Sequence, residues 1–375
     1  MLQKILSRIL GCALLLYGST ALGFTLIEFT NEQSTPSNKI TDATSAETEI
    51  QPIAAAIRAQ LLSHRRLKGS GGVAQAGRLL AANTPADSRS DFDPLALVLS
   101  QASGAGGGKS GGGGTESLWI SSTSNSLEND FFRTAFYGAS HNLLAGFDVT
   151  RSDRYVLGVS AGHEASNYVT SFNAGNQKVR GFNVSPYFAY LLSDTWSVDL
   201  ILGYGDFDTR QSRTIGTGLL STAAVDSEFS STRGFVSTNL TNVSAWGNWN
   251  LTGALGLLAS RREQDAYVER IGGTTFTSVA GSKQTIEQWN LVGEAAYSRG
   301  ASELYAGLLY ERTRDPVKAQ FASGEQPADD PDSVVLTAGW RHFGKGLTAN
   351  FVFSKRLALD QVNEYGFSMM IRVDL

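Results

Sequence analysis

Residues 365–375 alternate without a break. Tyr365, Phe367, Met369, Ile371, Val373 and Leu375 are apolar, and between them stand Gly366, Ser368, Met370, Arg372 and Asp374. A period of two is the signature of a β-strand with two unlike faces. Here one face is wholly apolar and the other carries two charges. A chain with this texture builds either a soluble sheet that buries its apolar face or a membrane barrel that turns that face to lipid.

The same texture runs through residues 116–375. Runs of about ten residues alternate apolar with small or polar side chains, separated by turn sequence. Strands are expected near 116–125, 140–151, 154–162, 181–192, 196–205, 229–241, 249–260 and 287–298. Four more follow in "ELYAGLLYE", "SVVLTAGWR", "LTANFVFS" and the terminal segment, which makes twelve. The sixth, within 229–241, alternates poorly. The connections alternate in length. "RSD", "SDT", "RGAS" and "FGKG" are brief, whereas about 206–228, 262–284 and 312–332 are long. Short inner turns and long outer loops distinguish an outer-membrane barrel from a soluble sandwich.

Charge placement decides between the two. Asp148, Asp199, Glu294, Arg341, Arg372 and Asp374 all fall on the parity opposite to the apolar face, which assigns them to the lumen. Arg180, Arg261, Arg312 and Lys355 share the apolar parity but stand at strand ends, where a lipid-facing charge costs little; at the midplane it costs roughly 2–4 kcal/mol. Trp196, Trp249, Trp289 and Trp340 sit at strand ends as an interfacial girdle would. The expected fold is all-β: a twelve-stranded antiparallel transmembrane β-barrel of the outer membrane, preceded by a short, partly helical and partly disordered N-terminal region.

The region before the barrel divides by composition. Lys4 and Arg8 precede the apolar run Ile9–Tyr17, and Ala21-Leu22-Gly23 offers small residues before a cut. Residues 1–23 therefore read as a secretory signal peptide. "ILGC" resembles a lipoprotein box, but most of the apolar run follows Cys12 rather than preceding it. Residues 24–103 form a short segment, rich in Ser, Thr, Asn and Glu to about residue 50 and read there as mostly disordered. "PIAAAIRAQLLSHRRL" (52–67) has helical spacing, with Ile53, Ile57 and Leu61 on one face; 93–101 is a second candidate helix. The Gly-rich linker 104–115 precedes the barrel, 116–375. Its "GKS" lacks the glycine spacing, preceding strand and following helix of a phosphate loop. About 11 extended linker residues reach up to roughly 36 Å, enough to cross the hydrocarbon layer.

Other chemistry is sparse. The net charge of −4 gives no reason for a nucleic-acid partner, and four His with one Cys are poor material for a metal site or disulfides. His141 and His163 lie near the outer rim with Ser140 and Ser166 close by, but no third group completes a hydrolase triad. Asp153, Asp194 and "PADDPD" (327–332) read as solvated acidic loops. No enzyme activity, cofactor or metal is expected.

The stretches "NDFFRTAFYGASHNLLAGFDV", "RYVLGVSAGHEAS", "VSPYFAYLLSDTWSVDLILGYG", "AGWRHFGKGLTANFVFS" and the terminal strand together resemble the translocator, or β-domain, of autotransporters, the type V secretion family. The resemblance implies a signal peptide, an exported passenger, a helix or linker threading the pore, and a barrel. It implies residence in the outer membrane of a Gram-negative cell as a monomeric barrel, with lipid, the export machinery and the barrel-assembly machinery as partners. It also implies that the terminal strand Tyr365, Phe367, Met369, Ile371, Val373 and Leu375 is what the assembly machinery recognises. Autoproteolysis in the family uses an Asn of the pore segment; Asn83 is available but stands well upstream of the barrel. Two features depart from the family pattern. The 24–115 region lacks the repeated strands of most passengers, and the last residue is Leu rather than Phe. The resemblance therefore suggests a barrel that translocates or anchors a short N-terminal passenger. The alternative is a passenger-less narrow pore or structural barrel whose N-terminal segment plugs the lumen.

Overall fold

The computed structural model describes residues 26–29, 37–38, 41, 50–62 and 115–375, apart from 132–133, 152–153, 217–221, 315–317, 322–330, 345 and 358. Strand β1 is Leu26–Phe29, and the helix α1 covers residues 50–62. The barrel begins with β2 (Thr115–Asn129), β3 (Phe136–Arg151), β4 (Tyr155–Thr170) and β5 (Gly175–Leu191). It continues with β6 (Trp196–Gly216), β7 (Thr222–Trp246) and β8 (Trp249–Gln264). A small hairpin follows, β9 (Tyr267–Ile271) and β10 (Thr274–Val279). Then come β11 (Ser282–Arg299), β12 (Ser302–Thr313), the short β13 (Lys318–Phe321), β14 (Asp332–Phe343), β15 (Leu347–Leu357) and β16 (Val362–Asp374).

Twelve of these strands, all but β1, β9, β10 and β13, form one closed antiparallel sheet. Closure is the pairing of β16 with β2, in unbroken register from Val362 opposite Asn129 to Asp374 opposite Ser117. The Leu375 N–H donates to the Glu116 carbonyl at 2.8 Å. A sheet closed in this way has no edge, as lipid requires. No described helix is long and apolar enough to cross a membrane; the crossing is made by strands.

The two faces separate as the parity predicts. Phe182, Tyr204, Leu304 and Phe367 are exposed on the outside, whereas Asp148, Ser160, Ser185 and Arg372 are buried inside. Trp196, Trp246 and Trp249 flank the short inner turns, all exposed, at the level of a headgroup belt. Inner glycines make room for rings on the next strand. Gly146 faces Trp119 and Gly158 faces Tyr187, and a Cβ at either glycine would lie within 2.3 Å of the ring. Small residues on the inner face thus let aromatic rings lie flat against the wall.

Three expectations need correction. The connections 206–228 and 262–284 are mostly strand. β6 and β7 run on above the apolar belt, and β9–β10 form a hairpin beside them. Alternation persists there, with Phe207, Thr209, Gln211 and Arg213 buried, but Asp206, Asp208 and Arg210 replace apolar residues on the outer face. A criterion based on lipid-facing residues therefore stops at Tyr204. The sixth barrel strand, β7, is 25 residues long. Its weak pattern arises because Ser, Thr and Gly occupy both faces. Finally, part of 24–50 is structured: β1 is a strand, and residues 37, 38 and 41 are helical and buried. Their polar side chains meet polar partners in the lumen.

Candidate functional site: the occupied lumen

The lumen holds α1, which falls within the predicted helical segment 52–67 except for two residues at its start. Thirteen residues at 1.5 Å each span about 20 Å, most of the height of an apolar belt. Ile50, Ile53, Ala54, Ile57 and Leu61 are buried on one side of the helix. They form a cluster with Trp119, Leu144, Val156, Tyr187, Ile201, Phe235 and Leu258, one side chain from each strand from β2 to β8. The apolar stripe of the helix thus meets an apolar stripe spread across half of the wall. Burying such a surface is the main reason the helix stays in place.

Polar contacts set its direction. At the inner end Gln60 Nε2 donates to Asp148 Oδ2 at 2.8 Å. Asp148 also accepts from Ser117 Oγ at 2.6 Å and Tyr187 Oη at 3.0 Å, and Trp119 Nε1 donates to Tyr187 Oη at 2.9 Å. Midway, Arg58 bonds Ser237 and places Nε 4.0 Å from Asp199 Oδ1, while Gln51 Nε2 donates to Gln288 Oε1 at 2.5 Å. At the outer end the Asn38 N–H donates to Gln211 Oε1 at 3.0 Å, and its Nδ2 to Gln264 Oε1 at 2.6 Å. Tyr267 Oη donates to Asn38 Oδ1 at 3.0 Å, and Thr41 bonds Gln177. Gln211, Gln264 and Tyr267 stand on the extension above the belt; Ser117 and Asp148 stand beside the inner turns. The described residues therefore place 37, 38 and 41 at the outer mouth and the end of α1 at the inner mouth. Further upstream, β1 pairs in parallel with β13, within the outer connection between β12 and β14.

The other half of the wall, β11 to β16, is built of ion pairs. Arg341 makes a two-pronged contact with Glu294, one arm at 2.8 Å, and lies 3.8 Å from Glu303 and 3.7 Å above the Tyr305 ring. Arg356 bonds Glu364 at 2.7 Å, Ser333 at 2.5 Å and Glu311. Arg372, nearly fully buried, pairs with Asp374 at 2.6 Å. All six charges assigned to the lumen from parity are therefore on the inner face, but the structure does not gather them into one site. Asp148 and Asp199 contact α1, Glu294 pairs with Arg341, and Arg372 pairs with Asp374. Glu164–Arg233, with N–O distances of 2.5 and 2.6 Å, is a further buried pair that the parity reading missed.

In the terminal strand, Tyr365, Phe367 and Leu375 are exposed and Met369, Ile371 and Val373 partly so, all on the lipid side. His141 is exposed and His163 packs edge-on to Phe182 at 5.1 Å; neither meets a nucleophile and acid in triad geometry. No group of three or more metal-ligating side chains occurs among the described residues. Residues 1–23, the linker 104–114, the second candidate helix 93–101, Asn83, Asp153 and 327–330 lie outside the described residues. The lumenal contacts of α1 had a sequence signal: inward-parity apolar residues such as Leu144 and Ile201, matched by a helix with Ile50, Ile53, Ile57 and Leu61 in register.

A closed barrel of twelve strands with an apolar outer belt, threaded by its own upstream helix, defines a bacterial outer-membrane protein. Residues 118–357 match the autotransporter beta-domain, and the chain belongs to that family. No protein among the curated set matches it in sequence. Among solved structures, the translocator domain of the autotransporter NalP from Neisseria meningitidis superposes with a TM-score of 0.58 at 13% identity, covering 74% of this chain and 92% of that one. The beta domain of the Bordetella autotransporter Brka gives 0.54 at 18% identity, covering 70% and 100%. At these identities the likeness is one of fold.

Proposed function

We propose that the chain is a translocator that anchors its own N-terminal segment: residues upstream of Ser37 are presented at the outer mouth, and α1 remains in the lumen as both tether and plug. The observation that carries this reading is the direction of the threaded segment, with Asn38 clamped by Gln211, Gln264 and Tyr267 outside and Gln60 pinned to Asp148 inside. In this reading α1 is the segment that occupies the lumen. Export uses the signal peptide 1–23. Assembly uses the alternating strand β16, in line with the family; the barrel works as a monomer in lipid, and no reaction is assigned to it. An epitope tag placed near Ser34 is expected to be cleaved when protease is added to intact cells. Full protection overturns surface presentation.

The apolar seat of α1 favours a second reading, a narrow pore closed by its own helix. Deleting residues 50–62 is then expected to raise conductance sharply in planar bilayers. No conductance from the deleted form argues against a pore.

A further inference from the structure

The helix does not fill the lumen evenly. Packed on the apolar seat of β2–β8, it still leaves a cavity of about 250 Å³ around its other face, lined by residues of β3 to β8 on one side and of β11, β12, β14 and β15 on the other. Ala55, Ala59 and Leu62 line the helix side, and Ala254, Val292 and Val352 are among the wall residues opposite. Barrel lumens are usually polar, and this space is mostly apolar. An apolar cavity of about 150 Å³ already binds benzene.

Two cations line it besides Arg341. Arg58 lines the cavity; its buried Nε donates to no atom among the described residues, and the nearest carboxylate oxygen, Asp199 Oδ1, is 4.0 Å away. Arg154, beside the inner turn between β3 and β4, lines the inner end. Glu294 also lines the space, but its charge is taken up by Arg341. Asp199 lines it too, beside Arg58, so the lining keeps one positive charge in excess, which suits an anion with a hydrocarbon tail.

We propose that this cavity is a binding site for a medium-chain carboxylate of about ten heavy atoms, entering from the inner mouth with its head on Arg58 and its tail against Ala254, Val292 and Val352. The site rests on α1 occupying the lumen as described under the proposed function.

The test uses the full chain in lipid nanodiscs with 8-fluorooctanoate, followed by 19F NMR. Saturable binding is expected, separate from partition into lipid. Ala59→Trp and Val352→Trp, which fill the cavity from opposite sides, are each expected to weaken it at least tenfold. Arg58→Met is expected to weaken the carboxylate roughly tenfold, the scale of a hydrogen bond to a charged group, and to leave the matching fluoro-alcohol little changed. Heat-modifiable migration checks that each variant is folded. Non-saturable uptake by the unmodified chain overturns the site outright, as does binding that survives both filling variants. Tag cleavage near Ser34 is scored in cells making the same proteins. Loss of ligand with a cleavable tag removes the site alone, whereas a protected tag removes the anchoring reading.

Discussion

The two halves of the barrel wall solve the same problem differently. From β2 to β8 the inner face offers one apolar side chain per strand to α1, and rings such as Tyr187 lie flat over glycines to shape the seat. From β11 to β16 it offers Arg341, Arg356 and their carboxylates, which are satisfied by one another. The first half is complete only with the helix in place; without it, Trp119, Leu144, Ile201 and Phe235 would face water. The second half keeps its ion pairs without it, and takes from the helix the Gln51–Gln288 bond. One half of the lumen is thus packed on the helix and the other carries charges that pair with one another, which is why the helix sits off-centre.

The comparison is broken most severely at Arg341. Arg341→Met leaves Glu294 and Glu303 buried without their cation, and removing one partner of a buried pair costs about 3–5 kcal/mol. The loss is expected in the urea midpoint of the purified barrel, and equally in a form lacking residues 50–62. Ile53→Ala acts on the other half. Truncating a buried Ile costs about 2–5 kcal/mol, and here the cost is expected in retention of α1, read as raised conductance, with little change in the barrel's own midpoint. If Ile53→Ala shifts the midpoint as much as Arg341→Met does, the division into halves fails.

Gly158→Ala sharpens the account of the seat. Its Cβ would lie 2.2 Å from Tyr187 Cζ, so the ring must move and its bonds to Trp119 and Asp148 loosen. Overpacking of this kind costs about 1–3 kcal/mol, measured as a lower midpoint and a changed near-UV dichroism signal. Gln60→Ala is expected to have the smallest effect, about 1 kcal/mol for one hydrogen bond. It should show as a modest rise in conductance, because Asp148 keeps Ser117 and Tyr187 as donors.

What was legible in the sequence is what lipid enforces. A lipid-facing charge is costly, so Phe367, Ile371 and Leu143 declare their face and the charges declare theirs. Strand number and closing strand follow from that rule alone. Above the belt the rule lapses: Asp206 and Arg210 face water on strands that continue unchanged, and the sequence there reads as loop. In the lumen the rule is silent. Whether an inward Leu144 or Phe235 meets water, a neighbouring ring or a helix depends on a partner far away in the chain. The matching periodicity in α1 was visible, but it could be paired with those positions only once the barrel had placed them side by side.

The central claim is that α1 lies in the lumen with its last turn at the inner mouth. Engineered cysteine pairs test it directly, in a chain whose Cys12 is replaced. Gln60→Cys with Ser117→Cys is expected to form a disulfide during export, seen as a shifted band on non-reducing gels. Gln60→Cys with Gln264→Cys is expected to stay reduced, because Gln264 stands at the outer end. A bond from position 60 to position 264, or none from 60 to 117 in a correctly folded barrel, would contradict the account.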